Sequence, residues 1–182
     1  MRLAYVPQDA ATDFDFTLLE MVQMGRAAHR GAFAHPGARD RAAAQEALER
    51  LGIGALAHRP FHRVSGGERR LALIARAFAT EAACIVMDEP AANLDFGNQS
   101  LILDEIARLR TAGKSVLFST HHPEHALRVA GRAVLLGDGS VTASGPTETV
   151  VTSPALTALY GRPIEVVAVP TPAGERRICV SA

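Results

Sequence analysis

Lysine is nearly missing from this chain. Of its 19 basic residues only Lys114 is a lysine, and the others are arginines. Any chemistry in which an ammonium group must hold a phosphate therefore rests on that single residue. Charge of one sign is also lacking, because 19 acidic residues balance the 19 basic ones. A net charge of zero leaves no electrostatic footprint for nucleic acid or another polyanion. Cysteine is scarce: Cys84 lies in an apolar stretch and Cys179 near the end, which excludes a disulfide framework and a cysteine-based metal site. No apolar run approaches the roughly 18 to 20 residues of a membrane-spanning helix, and no secretory signal is expected. The reading is a soluble, cytosolic chain whose 182 residues suffice for about one domain with a sizeable core.

What is present concentrates between residues 64 and 95, VSGGERRLALIARAFATEAACIVMDEPAANLD. Ser65-Gly66-Gly67-Glu68 is a Ser-x-x-Glu capping box opening an apolar-periodic run of Leu71, Ile74, Ala75 and Phe78. That spacing puts two glycines in the first turn of a helix, where free N–H groups and the positive dipole end can face an anion. Lacking Cβ atoms, the glycines admit a phosphate close to the backbone. Further on, Cys84-Ile85-Val86-Met87 is an apolar run suited to a strand buried on both faces of a parallel sheet. It ends in Asp88-Glu89-Pro90, and open α/β sheets bind ligands at such strand ends. Each element alone fits an ordinary capped helix or a strand terminus; their order and spacing make them specific.

Elsewhere the chain alternates strands and helices. Residues 2–6 predict a short strand stopped by Pro7, with Gln8 directly after it. A second capping box, Thr17 to Glu20, starts a helix with Leu18, Met21 and Val22 on its apolar face and Gly25 as its stop. Residues 26–38 are expected to form a loop, residues 40–51 a helix closed by Gly52, and residues 53–57 a shorter helical piece. After Asp95 an amphipathic helix runs to about Arg110, ended at Ala112-Gly113, and residues 115–120 predict a strand with His121 at its carboxyl end. His121 and His125 are four apart, but a closed zinc site needs further ligands that neither cysteine supplies; a surface or capping role suits His122 and His125. Residues 124–130 then form a helix, and Asp138-Gly139 turns a hairpin between strands at 133–136 and 140–143. Two short helices at 147–151 and 154–160 and a terminal hairpin of 164–169 with 177–180 complete the reading.

On these residues the chain resembles the ATPase subunits of ABC transporters. Ser65 to Glu68 match the family's signature motif, Cys84 to Asp88 its Walker B strand, Glu89 its catalytic glutamate, and Asn93-Leu94-Asp95 its D-loop. Gln8 is similar to the Q-loop glutamine and His121 to the switch histidine. The resemblance implies an α/β fold of the P-loop NTPase type with a helical subdomain and an incomplete central sheet. It implies ATP and magnesium as ligands: Asp88 and Gln8 on the metal, Glu89 on the attacking water, and His121 on the γ-phosphate. Ser65, Gly66 and Gly67 would bind the γ-phosphate of a nucleotide held by an opposite subunit, and Glu68 and Asp95 also belong to the implied nucleotide-binding set. The implied partners are an integral-membrane permease, a second ATPase subunit in a head-to-tail dimer and, indirectly, a periplasmic or extracellular substrate-binding protein, but no nucleic acid. The expected location is cytoplasmic, peripheral at the inner face of the cell membrane. The Thr-His-His-Pro-Glu-His-Ala stretch and the Ala-Leu-Tyr-Gly tail look like importers of iron-siderophore, haem, cobalamin and molybdate.

One expected part is missing. The family's phosphate loop has the form GxxxxGK[S/T], and Gly113-Lys114-Ser115 matches only its end, with Arg108 in place of the first glycine. It also links a helix to a strand instead of a strand to a helix, so it is expected to be a helix C-cap. The resemblance thus starts at the Q-loop. A truncated gene, a misplaced start and a domain split over two chains all remain open explanations. The domain reading is one partial ATPase domain: a helical, signature-bearing subdomain at 9–80, a core at 81–145 and a C-terminal piece at 146–182. Without a Walker A loop the chain alone is expected to be inactive, and the alternative is a non-catalytic remnant that docks a permease or partner ATPase. A DNA-repair ATPase is the third reading; no long heptads and no zinc-type cysteine set support it.

Overall fold

The computed structural model describes residues 3–8, 15–29, 35–172 and 174–181. Arg2 of the first expected strand, residues 9–14 of the helical subdomain and residues 30–34 of the expected loop lie outside the described residues. The chain divides into two compact units, residues 1–119 and 120–182.

In the first unit, β1 (Leu3–Val6), β2 (Cys84–Met87) and β3 (Ser115–Phe118) form a parallel sheet in the order β1-β2-β3. Val6, Met87 and Phe118 are level across it, so the three carboxyl ends finish together. Helices α1 (Leu18–Gln23), α2 (Ala38–Arg50) and α3 (Gly66–Ala79) pack mutually, with Leu18, Val22, Ala44, Leu48, Leu71 and Ile74 in their core. Thr17 caps α1 as expected: its hydroxyl accepts from the Glu20 amide and its own amide donates to the Glu20 carboxylate at 2.8 Å. Helix α4 (Phe96–Thr111) follows β2, packs on β3, and stops at Gly113, which takes φ +75°.

Two expectations are corrected here. Helix α1 ends at Gln23, close to the expected stop at Gly25, but the chain continues as a 3₁₀ helix over Met24–His29, whose last residues fall in the stretch expected to be loop. A Cβ on Gly25 would stand 2.2 Å from the Arg76 carbonyl oxygen, so the glycine permits close approach of this turn to α3. Strand β2 is not buried on both faces: Ile85 and Met87 are buried, whereas Cys84 and Val86 are half-buried. The reason lies in the two faces: Ile85 and Met87 share one with the buried Ala4 and Val6, and among the described residues α3 meets β1 and α4 meets β3. The other face presents Leu3, Tyr5 and Leu117, all exposed. Among the described residues β3 pairs with β2 alone, leaving its outer edge without a strand.

The first helix of the second unit is α5 (Pro123–Val129), with Pro123 in its first turn. Strands β4 (Arg132–Gly137) and β5 (Ser140–Pro146) form a hairpin in which Asp138 and Gly139 both take positive φ, 50° and 72°, the condition for a tight type I′ turn. Helices α6 (Thr147–Val150) and α7 (Ser153–Tyr160) follow, and β6 (Ile164–Thr171) pairs antiparallel with β7 (Gly174–Ser181).

Candidate functional site

The register of the first sheet assembles the site. Because β1, β2 and β3 end level, the next residues of each strand are neighbours. The Asp88 amide donates to the Val6 carbonyl at 2.9 Å and the Ser119 amide to the Met87 carbonyl at 3.0 Å. Pro7, Asp88 and Ser119 therefore emerge level from adjacent strands at the carboxyl end of the sheet, with Gln8 one residue beyond Pro7. Ser119 joins two of the turns. Its hydroxyl donates to the Asp88 carboxylate at 2.5 Å and accepts from the Glu89 amide at 2.9 Å.

Glu89 occupies the left-handed region, with φ 44°. A residue carrying a Cβ adopts that conformation at a cost, and holds it when surrounding bonds over-determine it. The Ser119 hydroxyl fixes one side of the turn, and Arg70 fixes the other. Arg70 lies within α3, is 7% exposed, and spreads its guanidinium over backbone carbonyls. It donates to Gln8 at 2.6 Å and Glu89 at 2.8 Å, and also to Pro7, Asp88 and, at the longer 3.4 Å, Pro90. The planar five-donor fork of arginine suits such a fan of acceptors, whereas the point charge of lysine does not.

The amino end of α3 borders the same region. Ser65 and Glu68 form the expected box, the Ser65 amide donating to the Glu68 carboxylate at 2.7 Å and the Glu68 amide to the Ser65 hydroxyl at 3.2 Å. The bond from the Ser65 amide foremost, then the Ser65 hydroxyl, holds the Glu68 carboxyl below its ordinary range. The intervening amides of Gly66 and Gly67 take no part in that box. A cavity of about 180 Å³ opens there, lined by Gln8, Gly66, Gly67, Arg70, Asn93 and Leu94 among others. A Cβ on Gly67 would lie 3.2 Å from the Leu94 side chain, so glycine keeps this mouth from closing. Asp95 caps α4, accepting from the Asn98 amide at 2.9 Å, and that bond lowers its carboxyl pKa.

His121 belongs to the second unit, where its carbonyl accepts from the Tyr160 hydroxyl at 3.1 Å. Its ring lies 4.1 Å from that of His122, which lies 4.9 Å from that of His125. His122 occupies the N-cap of α5 without a side-chain cap bond and is exposed, so of the surface and capping roles expected its side chain takes the surface one, while its amide donates to the Thr120 hydroxyl at 3.0 Å.

Comparison with known proteins places this geometry. The model of the family described as ABC transporter matches residues 1–92. The chain belongs to the ABC transporter family. It is 37% identical over 163 residues to the molybdate import ATP-binding protein MolC of Haemophilus influenzae, covering 89% of this chain and 64% of that protein. It is also 37% identical over 166 residues to the hemin import ATP-binding protein HmuV of Streptomyces coelicolor, covering 91% of this chain and 59% of the relative. Among solved structures it resembles an inward-facing ABC transporter described as of metal-chelate type, with 34% identity and a TM-score of 0.89, over 99% of this chain and 72% of that one. An ATP-binding cassette of an ABC transporter in its ADP conformation, 23% identical with a TM-score of 0.70 over 87% of this chain and 67% of that one, shows the P-loop NTPase fold alone. The chain spans less than two thirds of the length of the curated relatives it matches.

For this ABC transporter chain, Lys114 is a structural residue. Its ammonium donates to the Glu81 and Ala82 carbonyls at 2.8 and 3.0 Å, tying the end of α4 to the approach of β2. The donor set at the strand ends is made of oxygens, the Asp88 carboxylate and the Gln8 amide. That chemistry fits magnesium, which takes one or two carboxylates and keeps places for water and phosphate. Among the described residues no group of three or more His, Cys, Asp or Glu encloses a metal by itself. Sequence reasoning missed Arg70 and Ser119. The available signal for Arg70 was an arginine inside the apolar run of α3; for Ser119 it was a hydroxyl two residues before His121.

Proposed function

We propose that this chain is the ATP-binding subunit of an ABC importer for a metal chelate or a similar substrate, and that it hydrolyses ATP only when a phosphate-holding loop is supplied with it. The observation that carries the reading is the Asp88–Glu89 turn, held beside the Pro7–Gln8 turn by strand register and gripped by Ser119 and Arg70. In this reading Asp88 and Gln8 hold magnesium, which when bound neutralises phosphate charge. Glu89 orients or deprotonates the attacking water. His121 stabilises the γ-phosphate. Ser65, Gly66, Gly67, Glu68 and Asp95 meet nucleotide bound by an opposing ATPase subunit, with the helix dipole and free amides of α3 facing the anion. Positioning and electrostatics provide most of phosphoryl-transfer catalysis, so the preset turn matters more than any single charge.

The import assignment is supported by relatives named for molybdate and hemin import. The partners that follow are a membrane permease, a second ATPase subunit and, indirectly, a substrate-binding protein, with the chain peripheral to the inner face of the membrane. No helix among the described residues is long and apolar enough to cross a membrane. Residues 9–80 serve as the helical subdomain that presents the signature motif, residues 81–145 as the core and 146–182 as the C-terminal piece.

The test compares the chain alone with the assembly that copurifies with it from its host. Alone, it should release no phosphate above a Glu89→Gln blank. In the assembly, Glu89→Gln should retain ATP binding and lose about 100- to 10,000-fold in turnover, as expected on removing a positioned base. Equal turnover in the two assemblies removes Glu89 from this role. An assembly containing the permease but silent in both forms favours the second reading, a non-catalytic docking module.

A further inference from the structure

We infer that Arg70 is a positioning residue that locks the Asp88–Glu89 turn and the Pro7–Gln8 turn to the signature helix, so that the three move as one body. Its catalytic consequence rests on the reading of Glu89 given above; the mechanical part does not.

The argument starts from what a guanidinium in this place must satisfy. Arg70 sits one turn into α3, close to Gly66 and Gly67, and is almost wholly buried. A buried cation requires several acceptors, and here the backbone oxygens of Pro7, Gln8, Asp88, Glu89 and Pro90 serve as acceptors. None belongs to α3 itself. Pro7 and Gln8 lie 63 and 62 residues away in sequence, and Asp88 and Glu89 lie 18 and 19 away. The guanidinium therefore spans the ends of two strands and one helix. The Glu89 carbonyl that it holds also accepts from the Ala92 amide at 3.0 Å, which continues the grip into the segment leading to Asn93.

The second half of the argument is the strain at Glu89. A left-handed glutamate relaxes unless held, and it is held at its amide by Ser119 and at its carbonyl by Arg70. Ser119 belongs to the sheet, whereas Arg70 belongs to the helix. Tilting α3 away from the sheet would thus pull on the Glu89 carbonyl while its amide stays anchored. Arg70 in this way makes the conformation of Glu89 depend on the seating of the signature helix. A guanidinium is required, because an amide or an ammonium cannot reach both turns at once.

The experiment is amide hydrogen exchange on the full chain, comparing wild type with Arg70→Gln and Arg70→Lys. The amides of Asp88, Glu89 and Ala92 should exchange at least about tenfold faster in Arg70→Gln, with Arg70→Lys intermediate, while Ile74 to Phe78 in α3 keep their protection. In the copurified assembly, kcat should fall in the same order with KM for ATP little changed. Unchanged exchange at Asp88, Glu89 and Ala92 overturns the inference. So does an equal loss of protection along α3 in both variants, which a merely structural arginine would give. Failure of Glu89→Gln to reduce turnover would strike the catalytic reading alone, since the exchange pattern is read without nucleotide.

Discussion

The amide of Glu89 donates to the hydroxyl of Ser119 at 2.9 Å, so the acid expected to act on water takes its backbone anchor from the neighbouring strand's end. The same hydroxyl donates to Asp88, which makes one side chain the link between the carboxylate proposed to hold magnesium and a strained turn. Ser119→Ala should cost about 0.5–1.5 kcal/mol, the net worth of such a bond. Urea unfolding at low protein concentration measures it, and Ser119→Thr, which keeps the hydroxyl, should recover most of the loss. Equal midpoints for Ser119→Ala and wild type would remove this anchor.

Glu105 on α4 is a fully buried carboxylate. Arg50, at the end of α2, donates to it at 2.5 and 3.1 Å, and Arg108 donates at 2.7 Å. Breaking a buried pair by removing one partner costs about 3–5 kcal/mol, because the other charge stays buried. Arg50→Met should fall toward the low end of that range, since Arg50 is 36% exposed and Arg108 keeps its contact. Combining it with Glu105→Met should restore much of the stability. A double variant as unstable as Arg50→Met, by the same unfolding measurement, would show that packing and not charge dominates.

The bare face of the first sheet has a cost in solution. Leu3, Tyr5 and Leu117 are 62%, 54% and 64% exposed, and each large apolar side chain left in water forgoes about 1.5–3 kcal/mol of burial. The outer edge of β3 adds unpaired backbone groups that invite strand addition. The isolated chain should self-associate with rising concentration, and Leu117→Lys should reduce that association in light scattering. A soluble monomer with one cooperative transition and strongly protected β3 amides would contradict this.

His125 sets a pH dependence. Burial pushes its pKa down, and the charge of His122 adds to the shift, against an opposing pull from Glu124. The folded value lies below the ordinary 6.5, so between the two the unfolded chain binds more protons. The associated stability is therefore complete above about pH 6.5 and is lost as pH falls through the folded value. The depressed carboxyls of Glu20, Glu68 and Asp95 lose their share only in more acid solution. His125→Gln should flatten the stability profile just below pH 6.5 and leave the acid limb in place. An unaltered slope there would clear His125 of the effect.

Local chemistry wrote much of this protein into its sequence. Thr17 with Glu20 and Ser65 with Glu68 form their boxes because donor and acceptor lie three residues apart, within one turn. Asp138-Gly139 makes its turn because both residues tolerate positive φ. The Asp-Glu pair after an apolar run was legible for the same reason, since strand and carboxylates are contiguous. Long-range partners decided the rest. Gly25 read as a helix stop, and only packing adds the close approach of Arg76, 51 residues on. Glu105 falls within the stretch expected to be an amphipathic helix, where nothing marked it out, and its ion pair comes from an arginine 55 residues away. Cys84 and Val86 read as buried because their run is apolar, yet covering both faces of a strand takes helices that its own sequence cannot specify. Arg70 and Ser119 acquire their roles only when parallel register brings Pro7, Asp88 and Ser119 to one level. Side-chain type and spacing within a turn are fixed by the chain alone, whereas burial and shared acceptors exist only once distant segments have packed.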